Sequence, residues 1–153
     1  MAQPDRETVY AALLTLLTNA LGPTGSAAFQ TVTRRFISIT NTKSANAPYL
    51  VQAQKREKSE TPKGMPTLHT YSVDLYVYIN YGLADDTVPD TILNGLVTAI
   101  EGALGPSLVT GFQQLGIPVS SVVVNGDIEY GNMASTTGAW GIAVVPVEIV
   151  PNY

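Results

Sequence analysis

LHTYSVDLYVYINY, residues 68–81, alternates from end to end: Tyr71, Val73, Leu75, Val77, Ile79 and Tyr81 form one set, and Thr70, Ser72, Asp74, Tyr76, Tyr78 and Asn80 the other. A period of two held over this length marks a long strand with one face in a core. The second set is not simply polar, because Tyr76 and Tyr78 belong to it. Aromatic rings with one polar end are favoured where a surface becomes an interface. Tyr76 and Tyr78 are therefore candidate contact residues toward another subunit.

Working outward from this strand, the preceding residues 57–66 are polar, with two prolines and a glycine, and read as a loop. Before it, residues 49–56 read as a strand with Tyr49, Val51 and Ala53 on one face and Leu50, Gln52 and Gln54 on the other. A further strand is expected over 28–40, rich in Thr, Val, Phe and Ile, with loop composition over 41–48. The chain opens on a helix over about 4–21, in which Val9, Leu13, Leu16, Leu17 and Ala20 recur at helical spacing and Gly22-Pro23 supplies the stop.

On the other side, Asp85, Asp86 and Asp90 favour the N-terminal end of a second helix over 88–104 through the helix dipole. Its apolar face holds Ile92, Leu93, Leu96, Val97, Ile100, Ala103 and Leu104. A connection over 105–118 leads to strands over 119–130 and 139–150. Pro146 within the last one points to an edge strand or a bulge. The order is helix, three strands, helix, two strands, with no repeat and no linker. Residues 1–153 thus read as one α+β domain, a mostly antiparallel or mixed sheet of about five strands with two helices packed on one face. The other face must meet solvent or another subunit.

Charged residues make up only 13% of the chain, against about 25% in an average soluble domain, so part of the surface is neutral polar or covered by neighbours. The eight basic residues all lie in residues 1–63, which carry +4, whereas residues 64–153 carry −8 and hold no Lys or Arg. Either the halves intermix on folding, or the subunit is bipolar and presents a positive surface to a negative one on the next copy. There is no cysteine, which excludes disulfides, thiolate metal sites and cysteine nucleophiles. No net-positive leader and no span of roughly 18 apolar residues is present. A soluble chain made in the cytoplasm, without a membrane partner, is the expectation.

The residues for catalysis are sparse. His69 is the only histidine, with no acid or nucleophile beside it in sequence. There is no phosphate-binding glycine loop and no nucleophile elbow. Asp127 and Glu129, two apart on an expected strand, share a face, and Asp85-Asp86 are adjacent in a turn, but neither pair brings the further oxygen ligands a metal needs. No cofactor, no metal and no enzymatic activity are expected. Lys55, Arg56, Lys58 and Lys63 straddle the 57–66 loop. Direct nucleic-acid binding, a solvated hairpin tip and a protein-docking arm are all open for it; Glu57 and Glu60 dilute its charge. Arg34 and Arg35 must point to opposite faces of a strand, so at least one reaches solvent or a partner's acid.

The order and spacing of RETVYAALLTLL (6–17), RRFISI (34–39), PYLVQAQKRE (48–57), KGMPT (63–67), VDLYVYIN (73–80), ILNGLVTAIE (92–101), GDIEYG (126–131) and AVVPVEI (143–149) resemble the tail-terminator, or tail-completion, proteins of long-tailed bacteriophages. The likeness spans nearly the whole chain, and no single motif carries it. It implies a homohexameric ring on the head-proximal end of the tail tube. Such a ring stops tube polymerisation, meets the head connector or stopper protein, and lets DNA pass only as cargo, in a virion assembled in the host cytoplasm. Within such a ring, Arg34, Arg35, Lys55, Arg56, Lys58, Lys63, Tyr76 and Tyr78 are candidates for subunit or partner contacts, and Asp127 and Glu129 for an acidic channel wall that keeps DNA from sticking. A connector stopper, a tail-tube subunit, or a small-ligand-binding or enzymatic α+β domain are the competing readings.

Overall fold

The computed structural model describes residues 5–22, 25–38, 46–81, 89–105, 115, 119–135 and 138–151. The elements in chain order are α1 (Arg6–Thr18), β1 (Thr31–Thr33), β2 (Tyr49–Glu60), β3 (Leu68–Tyr81), α2 (Pro89–Ala103), β4 (Val119–Val124), β5 (Glu129–Ser135) and β6 (Gly138–Pro151). The α+β class holds, with one sheet of six strands rather than about five.

β3 lies at the centre, antiparallel to β2 on one side and to β6 on the other. β1 adds to β2 in parallel. β4 and β5 both pair with β6, one after the other along its length. The sheet is therefore mixed, and its outer edges are the short β1 and the β4–β5 pair.

The period-two reading of β3 predicts its packing. Tyr71, Val73, Leu75, Val77 and Ile79 are buried in the main core with Leu50 of β2 and Ala143, Val145, Val147 and Ile149 of β6. Both helices cover this face. α1 places Val9, Tyr10, Leu13 and Leu17 on it, and α2 places Leu93, Leu96, Val97, Ala99 and Ile100. These positions recur every three or four residues, which sets one stripe of a helix against the sheet. Gln52 is the one buried polar side chain among the described residues, and its Nε2 donates to the Tyr10 carbonyl at 2.9 Å.

α1 begins at an N-cap. Asp5 accepts from the Thr8 N–H at 2.8 Å and from the Thr8 hydroxyl at 3.1 Å, satisfying groups the first turn leaves free. These bonds hold the Asp5 carboxyl below its ordinary range, the backbone donor contributing most. Arg34 does the same for Glu7. Carboxyls depressed in the folded state contribute stability that is present above about pH 4 and lost as pH falls through and below it. Stability to urea should therefore fall between about pH 5 and pH 3, and the Asp5→Asn/Glu7→Gln variant should show a shallower fall. An acid limb of the same steepness in the variant would refute this origin.

Five expectations need correction. Of the strand expected over 28–40, only Thr31–Thr33 pairs; Arg34 to Ser38 leave the sheet, and 39–40 lie outside the described residues. Residues 57–60 belong to β2, so the loop is shorter than 57–66. The strand expected over 119–130 is two strands with a break at Asn125–Ile128. Asp127 lies in that break, so strand alternation does not place it beside Glu129. Of the two readings of Pro146, the edge strand fails, since β6 is flanked on both sides, whereas an irregularity is present: residues 125–128 stand opposite Val145 and Pro146 alone. Pro146 sits opposite the break, where its carbonyl accepts from the Asn125 N–H at 3.0 Å. The same side of Pro146 lacks an N–H, so no neighbour is required there as acceptor. Gly126 crosses at this point with φ +126, and a Cβ there would lie 3.1 Å from the Pro146 ring.

The fifth correction concerns the back of the sheet. Its centre is covered by the chain itself: Tyr49, Val51, Tyr78 and Trp140 form a second buried cluster with Ile37, Ala47, Tyr76 and Ile142 packed against it. Residues leaving β1 thus lie over the face expected to meet solvent or another subunit.

Candidate interaction surface

β2 and β3 run past the rest of the sheet as a two-stranded arm. β6 pairs with β3 only from Tyr71 onward, and from Gln54 to Glu60 every residue of β2 is exposed. The arm's root is anchored to α1. Glu57 accepts from Arg6 Nε at 2.7 Å and from the Tyr10 hydroxyl at 3.3 Å. Burial, reinforced by Glu57, pushes the Tyr10 phenol well above its ordinary value. Arg34 holds the other flank of α1, hydrogen-bonded to both Glu7 oxygens, with its guanidinium 5.6 Å from the Tyr10 ring centre.

A bulge between Gln54 and Arg56 shifts the β2–β3 register. Beyond it, Glu57 turns to the helix-covered face and Arg56 to the back. Strict alternation would separate Lys55 from Arg56; instead both line one small back-face cleft of about 80 Å3, with Ser72, Asp74, Asn125 and Glu148. Lys55 Nζ stands 3.7 Å from Asp74, and Asn125 donates to Glu148 at 2.5 Å. Two cations facing two carboxylates leave the cleft no net preference for an ion of either sign.

The other candidates are dispersed. Lys58 pairs with Glu60 at 2.6 Å on the arm, and Lys63 lies exposed at its tip. Arg35 is exposed, and its backbone N–H donates to the Thr33 hydroxyl. Tyr76 is half-buried and meets Phe36 edge-on at 6.4 Å. Tyr78 is only 4% exposed. Its own chain covers it, so it is withdrawn as a contact to another subunit. Asp127 and Glu129 are both exposed at the β4–β5 edge.

The charge division of the sequence persists in space only in part, since the back-face cleft brings Lys55 and Arg56 against Asp74 and Glu148. Of the four ion pairs among the described residues, Arg6–Glu57, Arg34–Glu7 and Lys58–Glu60 stay within residues 1–63, and Lys55–Asp74 crosses to the acidic part. Among the described residues, Arg35, Arg56, Lys63 and the acid Asp5 are left without an ion pair in residues 1–63, and Asp90, Glu101, Asp127, Glu129 and Glu148 in the rest. Lys43, Asp85 and Asp86 lie outside the described residues.

The fold corrects the isolation of His69. Ser59, opposite it on β2, places its hydroxyl 2.9 Å from His69 Nδ1. The pair sits on the arm with His69 stacked on Tyr71. Among the described residues no carboxylate accepts a hydrogen bond from the ring, and no group of three or more His, Asp or Glu could hold a metal. No described helix is long and apolar enough to cross a membrane.

No family model matches the chain, and no curated protein matches it.

Surface features that the sequence does not signal are exposed apolar groups. Phe36 is 65% exposed where the chain leaves β1, Met65 caps the arm, and Tyr130 and Met133 lie on β5. An open groove of about 560 Å3 separates the end of α1 from α2. Nothing in composition marks these positions, because each depends on which elements end beside one another.

Proposed function

We propose that this chain is a structural virion protein: a subunit of a homohexameric ring that closes the head-proximal end of a phage tail tube, ends its polymerisation and joins it to the head connector. The observation that carries this is the spatial charge division. The protruding arm bears Lys63 without an ion pair at its tip, while the charged residues described on α2 and at the β4–β5 edge are carboxylates without ion pairs. Opposite charges on separate surfaces of one subunit orient head-to-tail contacts. Asp127 and Glu129, exposed at one sheet edge, suit a channel wall that repels passing DNA.

The purified chain should give a closed hexamer by native mass spectrometry when tail-tube ends are present, and electron microscopy should show tubes that stop growing. A tail-tube subunit would instead extend the tubes, and a connector stopper would bind the head side and leave tube length unchanged. Arg56→Glu/Lys58→Glu should weaken assembly most at low salt, where screening is least. A chain that stays monomeric beside growing tubes would sink the ring function. Among the described residues the groove is a feature that favours a small-ligand domain, yet of those lining it only Asn19 and Thr98 bring polar side chains to its wall, too few to fix a ligand's orientation.

A further inference from the structure

We infer that the tip of the β2–β3 arm, residues 61–67, docks into the α1–α2 groove of a second copy of this chain; this contact rests on the ring assembly proposed above and gives it residues. The groove is apolar and open. Leu16, Ala20, Leu21, Ala99 and Ala103 line it, and Leu21 is 62% exposed. Gly95 and Gly102 face it as well, and a Cβ added at either would meet no atom within 4 Å. Apolar surface of this kind, open on a folded chain, is the mark of a contact site.

The arm tip has the matching chemistry. Met65, 47% exposed, stands between Pro62 and Pro66. A methionine adapts its shape to an irregular apolar recess, and the flanking prolines restrict the backbone that presents it. The charges complement each other. Residues 61–67 contain Lys63 and no acid, α2 contains Asp90 and Glu101 and no base, and Leu16 to Leu21 carry no charge at all. Glu101 is exposed and next in sequence to Gly102, which lines the groove.

Geometry excludes docking within one chain. α1 runs antiparallel to β2, since Tyr10 meets Gln52 whereas Arg6 meets Glu57. From Arg6 to Leu16 the helix rises about 15 Å. From Glu57 the arm continues the other way for about 10 Å before its turn. Tip and groove therefore lie at opposite ends of the subunit. The contact joins two unlike surfaces, and a succession of such contacts closes into a ring when the rotation between copies permits.

The chain has no cysteine, so single thiols can be placed cleanly. Met65→Cys and Gly102→Cys chains, mixed under assembly conditions with tail-tube ends and a short bifunctional thiol crosslinker, should give the mixed dimer in clear excess over either like-with-like dimer. In parallel, Gly102→Leu fills the groove. It should melt no lower than the wild type, because a helical glycine is replaced by a better helix former, and should weaken assembly by about tenfold or more. If the wild-type chain does not assemble, the ring function fails and this contact with it. If the wild type assembles while Gly102→Leu assembles equally well and no mixed dimer forms, the docking contact alone is overturned.

Discussion

Replacing Trp140 by alanine should be the most damaging single change in this chain, costing about 3–5 kcal/mol of stability. Trp140 is the only tryptophan and is fully buried on the back of the sheet, its ring centre 6.2 Å from that of Tyr49. The rest of its cluster is small: Val51 and Tyr78 complete the buried set, with Ile37, Ala47, Tyr76 and Ile142 around them. These neighbours sit on a rigid sheet and one crossing segment, so they have little freedom to close over the vacated space. The cavity penalty therefore adds to the lost transfer energy. For a domain of this size each kcal/mol shifts the melting temperature by about 2–4 °C, so a drop on the order of 10 °C is expected. Trp140→Phe should recover part of it. Thermal melts followed by circular dichroism check both. A loss smaller than about 1 kcal/mol would mean that the back-face cluster does not hold the chain leaving β1 against the sheet.

The second large effect is expected at Gly141, and it is one of overpacking. Gly141 lies opposite Ile79 on the helix-covered face of β6. A Cβ there would stand 3.0 Å from Ile79 Cγ1 and 3.2 Å from Leu93 Cδ1. Both neighbours are buried, so neither can move into solvent. Gly141→Ala should cost about 1–3 kcal/mol, and Gly141→Val more, as α2 is forced off the sheet. The same change at Gly95, in the middle of α2, should have the opposite sign. Open space faces Gly95, and alanine gains up to about 1 kcal/mol over glycine in a helix. Equal effects at the two positions, measured by urea titration, would show that α2 does not approach β6 as closely as described.

The main core could be read from the chain alone. Cβ direction alternates along a strand and advances by about 100° per residue around a helix, so the inward sets of β3, α1 and α2 follow from local geometry. They recur as Leu75, Val77 and Ile79, as Leu13 and Leu17, and as Leu93, Val97 and Ile100 in the core. The long-range outcomes were not legible. A one-residue bulge after Gln54 reverses the parity of β2 and brings Lys55 and Arg56 to one face, yet it leaves no trace in composition. Tyr76 and Tyr78 are identical in type and share a face, but only Tyr78 is sealed, because Trp140 arrives beside it from β6. Pro146 announces an interruption, but only pairing with β4 and β5 decides that the neighbouring strand is the one that breaks.

The assembly surface divides in the same way. The separation of basic from acidic residues is written in the order of the chain; folding leaves Lys63 at the arm tip but brings Lys55 and Arg56 against Asp74 and Glu148. Which charges remain unpaired, and where α1 and α2 leave a groove open, depend on contacts between residues far apart in sequence. Periodicity determines which side of an element is apolar; only tertiary packing decides what covers it, since that choice is made by segments whose own pattern carries no record of the destination.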